Sequence, residues 1–201
     1  MNNRRLLIGT NNGKKIEDFR AVLDSLHLQL LTPDKCGVTD PAPEDADTFE
    51  KNSVAKAQFY WGKTHIPCVT DDSGAEIDVL DGAPGVHTRR WNSQVELSDE
   101  AIRAKAIESV KIVPEEQRRT QLRNVVTFIT GDSQYVQAEG IIAGIIRQST
   151  LPTTPGYPFD SILFLPQYGD WYSRVKRSHP ELNHRRQALK KILPQIQQYF
   201  I

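Results

Sequence analysis

The sequence predicts an α/β domain with a mixed β-sheet, and three observations carry this prediction. Short β-rich runs alternate with amphipathic stripes along the N-terminal half, as in chains whose strands are connected through helices. Two long β-rich runs, 122–130 and 135–146, flank a Gly-Asp-Ser turn and predict a hairpin. The 201 residues are 38% hydrophobic and 25% charged, as in globular proteins, and no linker-like stretch divides the chain. We therefore expect a single domain over residues 1–201.

The N-terminal elements follow from local signals. Residues 5–8 form a short β run, and from Lys14 onward apolar residues recur as one helical stripe. A second strand is expected at 28–31, followed by a loop rich in proline and aspartate. Asp47, with Glu50 three residues later, resembles a capping box and predicts a helix over about 48–61.

The later elements are predicted from the same kinds of pattern. In chain order they are strands at 69–72 and 75–80, a helix from a cap at Ser98 to about Ser109, the hairpin, a strand at 161–165, a basic loop, and a C-terminal helix capped by Asn183 and kinked at Pro194.

The charges are balanced in number but segregated along the chain. There are 25 basic and 25 acidic residues, yet 39–50 and 71–82 contain acids and no bases, whereas 171–191 is strongly basic. Two acidic stretches and one basic stretch suit a divalent metal beside a polyanion, whereas a general nucleic-acid binder is more often net basic. Separate solvated faces are the alternative interpretation.

Several classes of protein are excluded. The longest apolar run, 162–165, is far shorter than the roughly 20 residues of a membrane span, and 6–8 is too short for a signal-peptide core. Cys36 and Cys68 form neither a disulfide framework nor a metal-thiolate pattern. No Gly-x-Ser-x-Gly hydrolase motif occurs. We expect a cytoplasmic protein that does not associate with membranes.

A polar loop between the first strand and the first helix is a candidate phosphate site. It consists of Gly9, Thr10, Asn11, Asn12, Gly13 and Lys14. Glycines permit a close approach of the backbone, and N–H groups at a helix start together with a lysine favour a phosphate. The spacing is not that of a P-loop, and an ordinary strand–turn–helix is the alternative.

Glu44 and Asp72 are candidate ligands of a magnesium ion. Mg²⁺ prefers oxygen ligands, and one or two carboxylates suffice when substrate phosphates and waters supply the rest. Lys56 lies four residues after Asn52 on the same helix face and could point to this site. Solvated loop carboxylates and a surface lysine are the alternatives.

Two further segments could contact a nucleobase. Tyr157, Pro158, Phe159 and Asp160 form a loop in which aromatic rings could stack on a base and a carboxylate could accept a hydrogen bond. His184 and Arg185 stand at a predicted helix start, which favours an anion or a carbonyl oxygen. Packing of the aromatic rings in the core and a surface histidine are the alternatives.

Taken in order, these segments resemble one family, the inosine/xanthosine triphosphate pyrophosphatases. The likeness extends over residues 6–193 and includes Gly9–Lys14, Thr48–Asn52 with Lys56, Thr70–Gly74, Gly82–Val86 with Arg90, Asp160, and His184–Arg185 with Ala188–Leu189. Asp71-Asp72-Ser73-Gly74 followed by Gly82-Ala83-Pro84-Gly85 is the most specific part.

The resemblance implies an elongated two-lobed α/β fold with a long mixed sheet and a cleft, usually in a homodimer. It implies Mg²⁺-dependent hydrolysis of inosine- or xanthosine-type nucleoside triphosphates to the monophosphate and pyrophosphate. Lys14 and Lys56 would then hold phosphates, and Glu44 and Asp72 would hold the metal. Asp72 would also orient or deprotonate the attacking water, and Ser73 would touch the substrate nearby.

The base-reading part departs from the family pattern. Residues 157–160, with His184 and Arg185, would read the base, but Pro158 stands where the family has a glycine, and His179 where it has a lysine. The base preference is therefore open. A Maf-like pyrophosphatase for other modified nucleotides, a nucleotide-binding protein without turnover, and a nucleic-acid binder that uses 171–191 are alternatives.

Overall fold

The computed structural model describes residues 4–149 and 151–201. Over this part of the chain it has a mixed α/β fold, as the sequence predicts, with eight β-strands and five α-helices. The strands are β1 (Arg5–Ile8), β2 (Gln29–Leu31), β3 (Cys68–Ile77), β4 (Pro84–Gly85), β5 (Arg119–Gly131), β6 (Gln134–Ile146), β7 (Leu163–Leu165) and β8 (Asp170–Trp171). The helices are α1 (Gly13–Leu23), α2 (Phe49–Thr64), α3 (Asp99–Ser109), α4 (Tyr172–Ser178) and α5 (His184–Tyr199).

The chain divides into two compact units. The first unit comprises the described residues up to Asp72 together with Asn124–Gly140 and His184–Ile201, and the second comprises Ser73–Arg123 and Ile141–Asn183. The strands β3, β5 and β6 each contribute residues to both units.

The first unit is built on parallel strand pairs. Within it the strand order is β2-β1-β3-β5-β6, and β1 pairs in parallel with both β2 and β3. Alternate residues of β1 enter two different cores, because successive strand side chains point to opposite faces. Leu6 and Ile8 pack with Phe19 of α1 and Leu189 of α5, whereas Leu7 packs on the other face with residues of α2.

The second unit has antiparallel pairs between β3 and β4, β6 and β7, and β7 and β8, and it has its own core. Its strand order is β4-β3-β5-β6-β7-β8, and its core includes Ile77, Ile102 and Tyr172. Gly74 of β3 faces β4 so closely that a Cβ would overlap the carbonyl oxygen of Gly85, which explains why a glycine occupies this position.

Two local predictions need correction. The N-cap of α2 is Thr48 rather than Asp47, because Thr48 has the extended backbone of a cap and its hydroxyl accepts from the Lys51 amide. The basic segment expected as a loop contains α4, whose Tyr172 and Val175 are buried in the core of the second unit. Among the described residues, no helix is both long and apolar enough to cross a membrane.

Replacement of Gly140 by alanine should destabilise the first unit. A Cβ at this position would overlap the backbone carbonyl of His184 at the start of α5 and press on the Ala188 amide. Since backbone atoms cannot move aside cheaply, we expect Gly140→Ala to lower the free energy of unfolding by about 2–3 kcal/mol in urea titrations. In the matched control Gly62→Ala, the new Cβ in α2 meets open space. We expect this variant to raise the free energy of unfolding by about 0.5–1 kcal/mol. Equal effects of the two variants would contradict this packing argument.

Candidate active site

A buried group of charged side chains lies in the first unit and is called here the carboxylate–lysine cluster. It consists of Lys15, Glu44, Lys56, Asp71, Asp72 and Arg185. Four of these residues, Glu44, Lys56, Asp72 and Arg185, are among those that the sequence singles out. The structure thus brings together groups from two helices, a loop, β3 and the start of α5.

Lys56 is shared by the two candidate metal ligands. Its Nζ lies 2.8 Å from Asp72 Oδ1 and 2.6 Å from Glu44 Oε1. Asn52, one helical turn earlier on α2, donates from Nδ2 to Asp72 Oδ2 over 3.1 Å. The predicted polar stripe of Asn52 and Lys56 therefore exists, and it holds both oxygens of the Asp72 carboxylate.

Burial and ion pairing shift the pKa values of Lys56, Asp72 and Glu44 in different directions. Burial would lower the pKa of Lys56, but Asp72 and Glu44 outweigh it and raise that pKa, so the ammonium stays charged. Burial raises the pKa of Asp72, and Lys56 only partly opposes it. Burial also acts to raise the pKa of Glu44, but Lys56 reverses this and lowers it. Asp72 is therefore more basic than an ordinary aspartate, and Glu44 is less basic than an ordinary glutamate.

Asp71 is held by three donors at a single oxygen. Its Oδ2 accepts from Asn124 Nδ2 at 2.7 Å and from Arg185 Nε at 3.1 Å, and Lys15 Nζ lies 3.1 Å away. Arg185 also donates from Nη1 to Asp18 Oδ2 over 2.9 Å. Burial alone would raise the pKa of Asp71, but Lys15 and Arg185 hold it well below the usual range.

The loop before α1 is stabilised by its own side chains. Asn12 is the N-cap, and its Oδ1 accepts from the amides of Lys14 and Lys15 at 3.0 and 3.3 Å. Thr10 accepts from the Asn12 amide, and Asn11 accepts from the Asp34 amide. Two of the helix-start N–H groups thus already have an acceptor within the protein, and phosphate binding by this loop stays a prediction.

The glycines and the lysine of this loop have different surroundings. A Cβ on Gly9 would collide with Thr70 and Tyr60, so close packing requires this glycine, whereas a Cβ on Gly13 would meet open space. Lys14 pairs with Glu17 at 2.9 Å on an exposed helix face. The lysine that contacts the buried carboxylates is its neighbour Lys15.

The donors around Lys56 fit a divalent cation. Two carboxylates share one ammonium, so this part of the cluster carries an excess of one negative charge. The Glu44 side chain is 50% exposed, which leaves room for waters and substrate oxygens. This is the donor set that Mg²⁺ usually has in nucleotide enzymes. In the described part of the chain, no three His, Cys, Asp or Glu side chains form a group that could hold a metal without further ligands.

The 157–160 loop lies in the second unit and forms a small group with α4. Lys176 contacts the Asp160 carboxylate, and its Nζ lies 3.8 Å from the centre of the Tyr157 ring. Phe159 is only 3% exposed and belongs to the core, so the structure favours the packing alternative for this ring. Pro158 is buried as well.

The remaining predicted site residues are placed as follows. Ser73 follows Asp72 in β3 and is the first residue of the second unit. His179, also in that unit, is the C-cap residue that follows α4, and it contacts Glu181 over 3.2 Å at the surface. His184 is the first residue of α5 in the first unit and is 6% exposed, so it is not a surface histidine.

Sequence reasoning missed several polar residues that the structure places at these sites. They are Lys15, Asp18 and Asn124 in the first unit and Lys176 in the second. Asn124 lies inside a β-rich run and gives no sequence signal. Lys176 could have been found, because it lies in the basic stretch 171–191, one helical turn after Tyr172.

Replacement of Asp71 by asparagine should be costly at neutral pH. Lys15 and Arg185 would lose the carboxylate that compensates their buried charges, which costs about 3–5 kcal/mol in unfolding free energy. Since the folded-state pKa of Asp71 is lowered, its contribution is complete above about pH 4, the unfolded-state value, and is lost as the pH falls further. The difference between wild type and Asp71→Asn should therefore shrink below about pH 4.

Urea unfolding at several pH values measures this difference. Asp24→Asn is the control, because Asp24 is exposed and 3.8 Å from Arg20, and we expect a change below about 0.5 kcal/mol at every pH. A gap between wild type and Asp71→Asn that stays constant down to pH 3 would contradict the proposed linkage.

Comparison with known proteins identifies relatives over nearly the whole chain. A dITP/XTP pyrophosphatase of Nocardia farcinica is 31% identical over 96% of this chain and 94% of its own length. That of Geobacter sulfurreducens is 31% identical over 92% of each chain. These names agree with the resemblance found in the sequence.

Solved structures show the same fold. A HAM1 protein from Coxiella burnetii matches with a TM-score of 0.81 at 20% identity, covering 97% of this chain and 98% of its own. A nucleoside-triphosphatase / dITP/XTP pyrophosphatase from Mycobacterium abscessus matches with a TM-score of 0.73 at 26% identity, covering 94% and 99%. The family model of the Ham1 family matches residues 6–195. With this match and the curated relatives above, the chain belongs to the Ham1 family.

Proposed function

We propose that this protein hydrolyses inosine- and xanthosine-type nucleoside triphosphates (ITP, dITP and XTP) to the monophosphate and pyrophosphate. The names of the relatives support the substrate class. The observation that carries the chemistry is the sharing of one ammonium, that of Lys56, by Glu44 and Asp72. Such a hydrolase would remove deaminated purine nucleotides from the nucleotide pool.

Asp72 is the proposed general base. Its Oδ2 is held by Asn52 and its Oδ1 by Lys56, so the carboxylate has a fixed orientation. Burial raises its pKa, which makes it a better proton acceptor than an ordinary aspartate. Water adds to the α-phosphorus, its proton passes to Asp72, and the bond between the α-phosphorus and the bridging oxygen breaks, releasing pyrophosphate.

Glu44 and Asp72 are the proposed ligands of Mg²⁺. When bound, the ion supplies positive charge against the phosphate oxygens and lowers the pKa of a coordinated water. Lys56 contributes a second permanent charge at the same place, since its raised pKa keeps it protonated. Negative charge grows on the pyrophosphate as it leaves, and fixed cations that face it lower the barrier.

Arg185 is proposed as a positioning residue in addition to its expected role at the base. At least two of its donors are committed to Asp71 and Asp18, so it orients the residue that precedes the general base. In the second unit, Tyr157, Asp160 and Lys176 form the best-supported base-reading group. A lysine there donates to the 6-oxo group of hypoxanthine and has no acceptor for the 6-amino group of adenine.

The family resemblance is the support for two further expectations, a homodimer and a cytoplasmic location. Sedimentation of the purified protein would test the first and fractionation of cells the second.

Pyrophosphate release from a nucleotide panel tests the substrate class. Inosine, xanthosine, adenosine and guanosine triphosphates are compared with Mg²⁺ and with a chelator. We expect Mg²⁺-dependent release with kcat/KM for inosine and xanthosine triphosphates about 10⁴-fold above that for adenosine triphosphate, the discrimination that results when the wrong substrate leaves polar groups of a binding site unpaired.

Other outcomes distinguish the alternatives. Preference for modified pyrimidine or methylated nucleotides would indicate a Maf-like specificity, and tight binding of inosine triphosphate without release would indicate a binding protein. Salt-sensitive binding of RNA or DNA with no hydrolysis would point to a nucleic-acid binder.

Replacement of Asp72 by asparagine tests the general base. Asparagine keeps the size and the hydrogen bond to Lys56 but accepts no proton, so kcat should fall by about 10²–10⁴-fold with the fold intact. Asp47→Asn is the matched control. Asp47 pairs with Lys51 at the surface, near the start of α2. Near-normal turnover in Asp72→Asn would contradict the mechanism.

A further inference from the structure

A polar cavity of about 390 Å³ lies in the first unit, away from the carboxylate–lysine cluster. Its lining includes Arg5, Gln29, Lys35, Cys36 and Lys63. Arg5 and Gln29 are paired at the first residues of β1 and β2, whereas the Gly9–Gly13 loop follows the last residue of β1. The length of β1, about 13 Å at 3.3 Å per residue, therefore separates this cavity from the loop.

The cavity is positively charged. Three of its eight lining residues, Arg5, Lys35 and Lys63, are cationic, and none of the eight is a carboxylate. Lys35 and Lys63 have nearby carboxylates in Asp34 at 3.7 Å and Asp40 at 3.1 Å. Both of these pairs are largely exposed to water, where ion pairs are weak, so another anion can compete with Asp34 and Asp40 for the two ammonium groups.

Arg5 has an unsatisfied donor. Its Nε is buried and has no hydrogen-bond partner within the described part of the chain. A buried donor of a charged group that lacks an acceptor is unfavourable, and native proteins usually supply one. The Thr64 hydroxyl, also in the lining, is already bonded to the Tyr60 carbonyl and the Ile66 amide. The Thr64 hydroxyl therefore does not serve as the acceptor, and the Arg5 guanidinium keeps unused hydrogen-bonding capacity within the described part of the chain.

We propose that this cavity binds a small phosphate-type anion, with Arg5 as its central ligand. A guanidinium presents parallel N–H donors that match two oxygens of a phosphate, and two flanking ammonium groups favour an anion with more than one charge over a monocarboxylate. The Gln29 side chain, on the residue paired with Arg5, offers a further donor. This site is independent of the proposed hydrolysis, because it shares no residue with the cluster.

Cys36 provides a local reporter of occupancy. It lines the cavity and is partly exposed, whereas Cys68, the second thiol, is completely buried. A bound anion would block the approach of an alkylating reagent to Cys36 and would disfavour its thiolate. The rate of Cys36 alkylation, followed by mass spectrometry of the peptide, therefore measures binding at this cavity and not at the cluster.

The experiment uses inorganic phosphate and pyrophosphate as probes, with sodium chloride and acetate at equal ionic strength as controls. At a probe concentration a few times the dissociation constant, the rate of Cys36 alkylation in the wild type should fall by about threefold or more. Arg5→Gln should abolish the slowing. Arg4→Gln should retain it, because the adjacent Arg4 is exposed and donates to the Leu26 carbonyl instead.

The outcomes are decisive in both directions. Equal slowing in wild type and Arg5→Gln, slowing by chloride or acetate to the same extent, or no slowing at all would overturn the proposal. If Arg5→Gln fails to fold, judged by its circular dichroism, Lys63→Gln replaces it. Lys63 is about half exposed, and its loss should weaken the protection several-fold if the proposal is correct.

Discussion

The buried carboxylate of Asp71 is the constraint on which the candidate site depends. It is 2% exposed, and a single oxygen accepts from or faces Asn124 of β5, Arg185 of α5 and Lys15 of α1. Its backbone carbonyl also accepts from Lys56 of α2. Because a buried charge without partners is very unfavourable, these four elements can pack around β3 in few other ways.

The alternation of side chains along β3 gives the neighbouring Asp71 and Asp72 different surroundings. Successive strand side chains point to opposite faces, so Asp71 meets the side covered by α1 and α5, and Asp72 meets the side covered by α2. The first is surrounded by cations that keep it ionised, whereas the second shares one cation with Glu44 and becomes more basic. Two residues of the same type, adjacent in the chain, thereby acquire a structural and a proposed chemical role.

The glycines near the site differ in how much space surrounds them. Gly9 and Gly74 are needed because neighbouring atoms leave no space for a Cβ, while Gly13 has ample space. Close packing against Thr70 and Tyr60 accounts for Gly9, and close packing against the Gly85 carbonyl accounts for Gly74. The polar loop before α1 is likewise organised by the Asn12 cap, so its preorganisation comes from the protein itself.

The sequence by itself determined the mixed α/β class, most strands and helices, and the family, because hydrophobic periodicity, turn residues and ordered motifs are local properties of the chain. It also identified Glu44, Lys56 and Asp72. Only the tertiary structure selected Lys15 and Asn124 as partners of Asp71 and Lys176 as the partner of Asp160, and it fixed which residues belong to each of the two units. The physical reason is that burial and long-range ion pairing decide which of many similar lysines and asparagines face a carboxylate, and no local pattern records that choice.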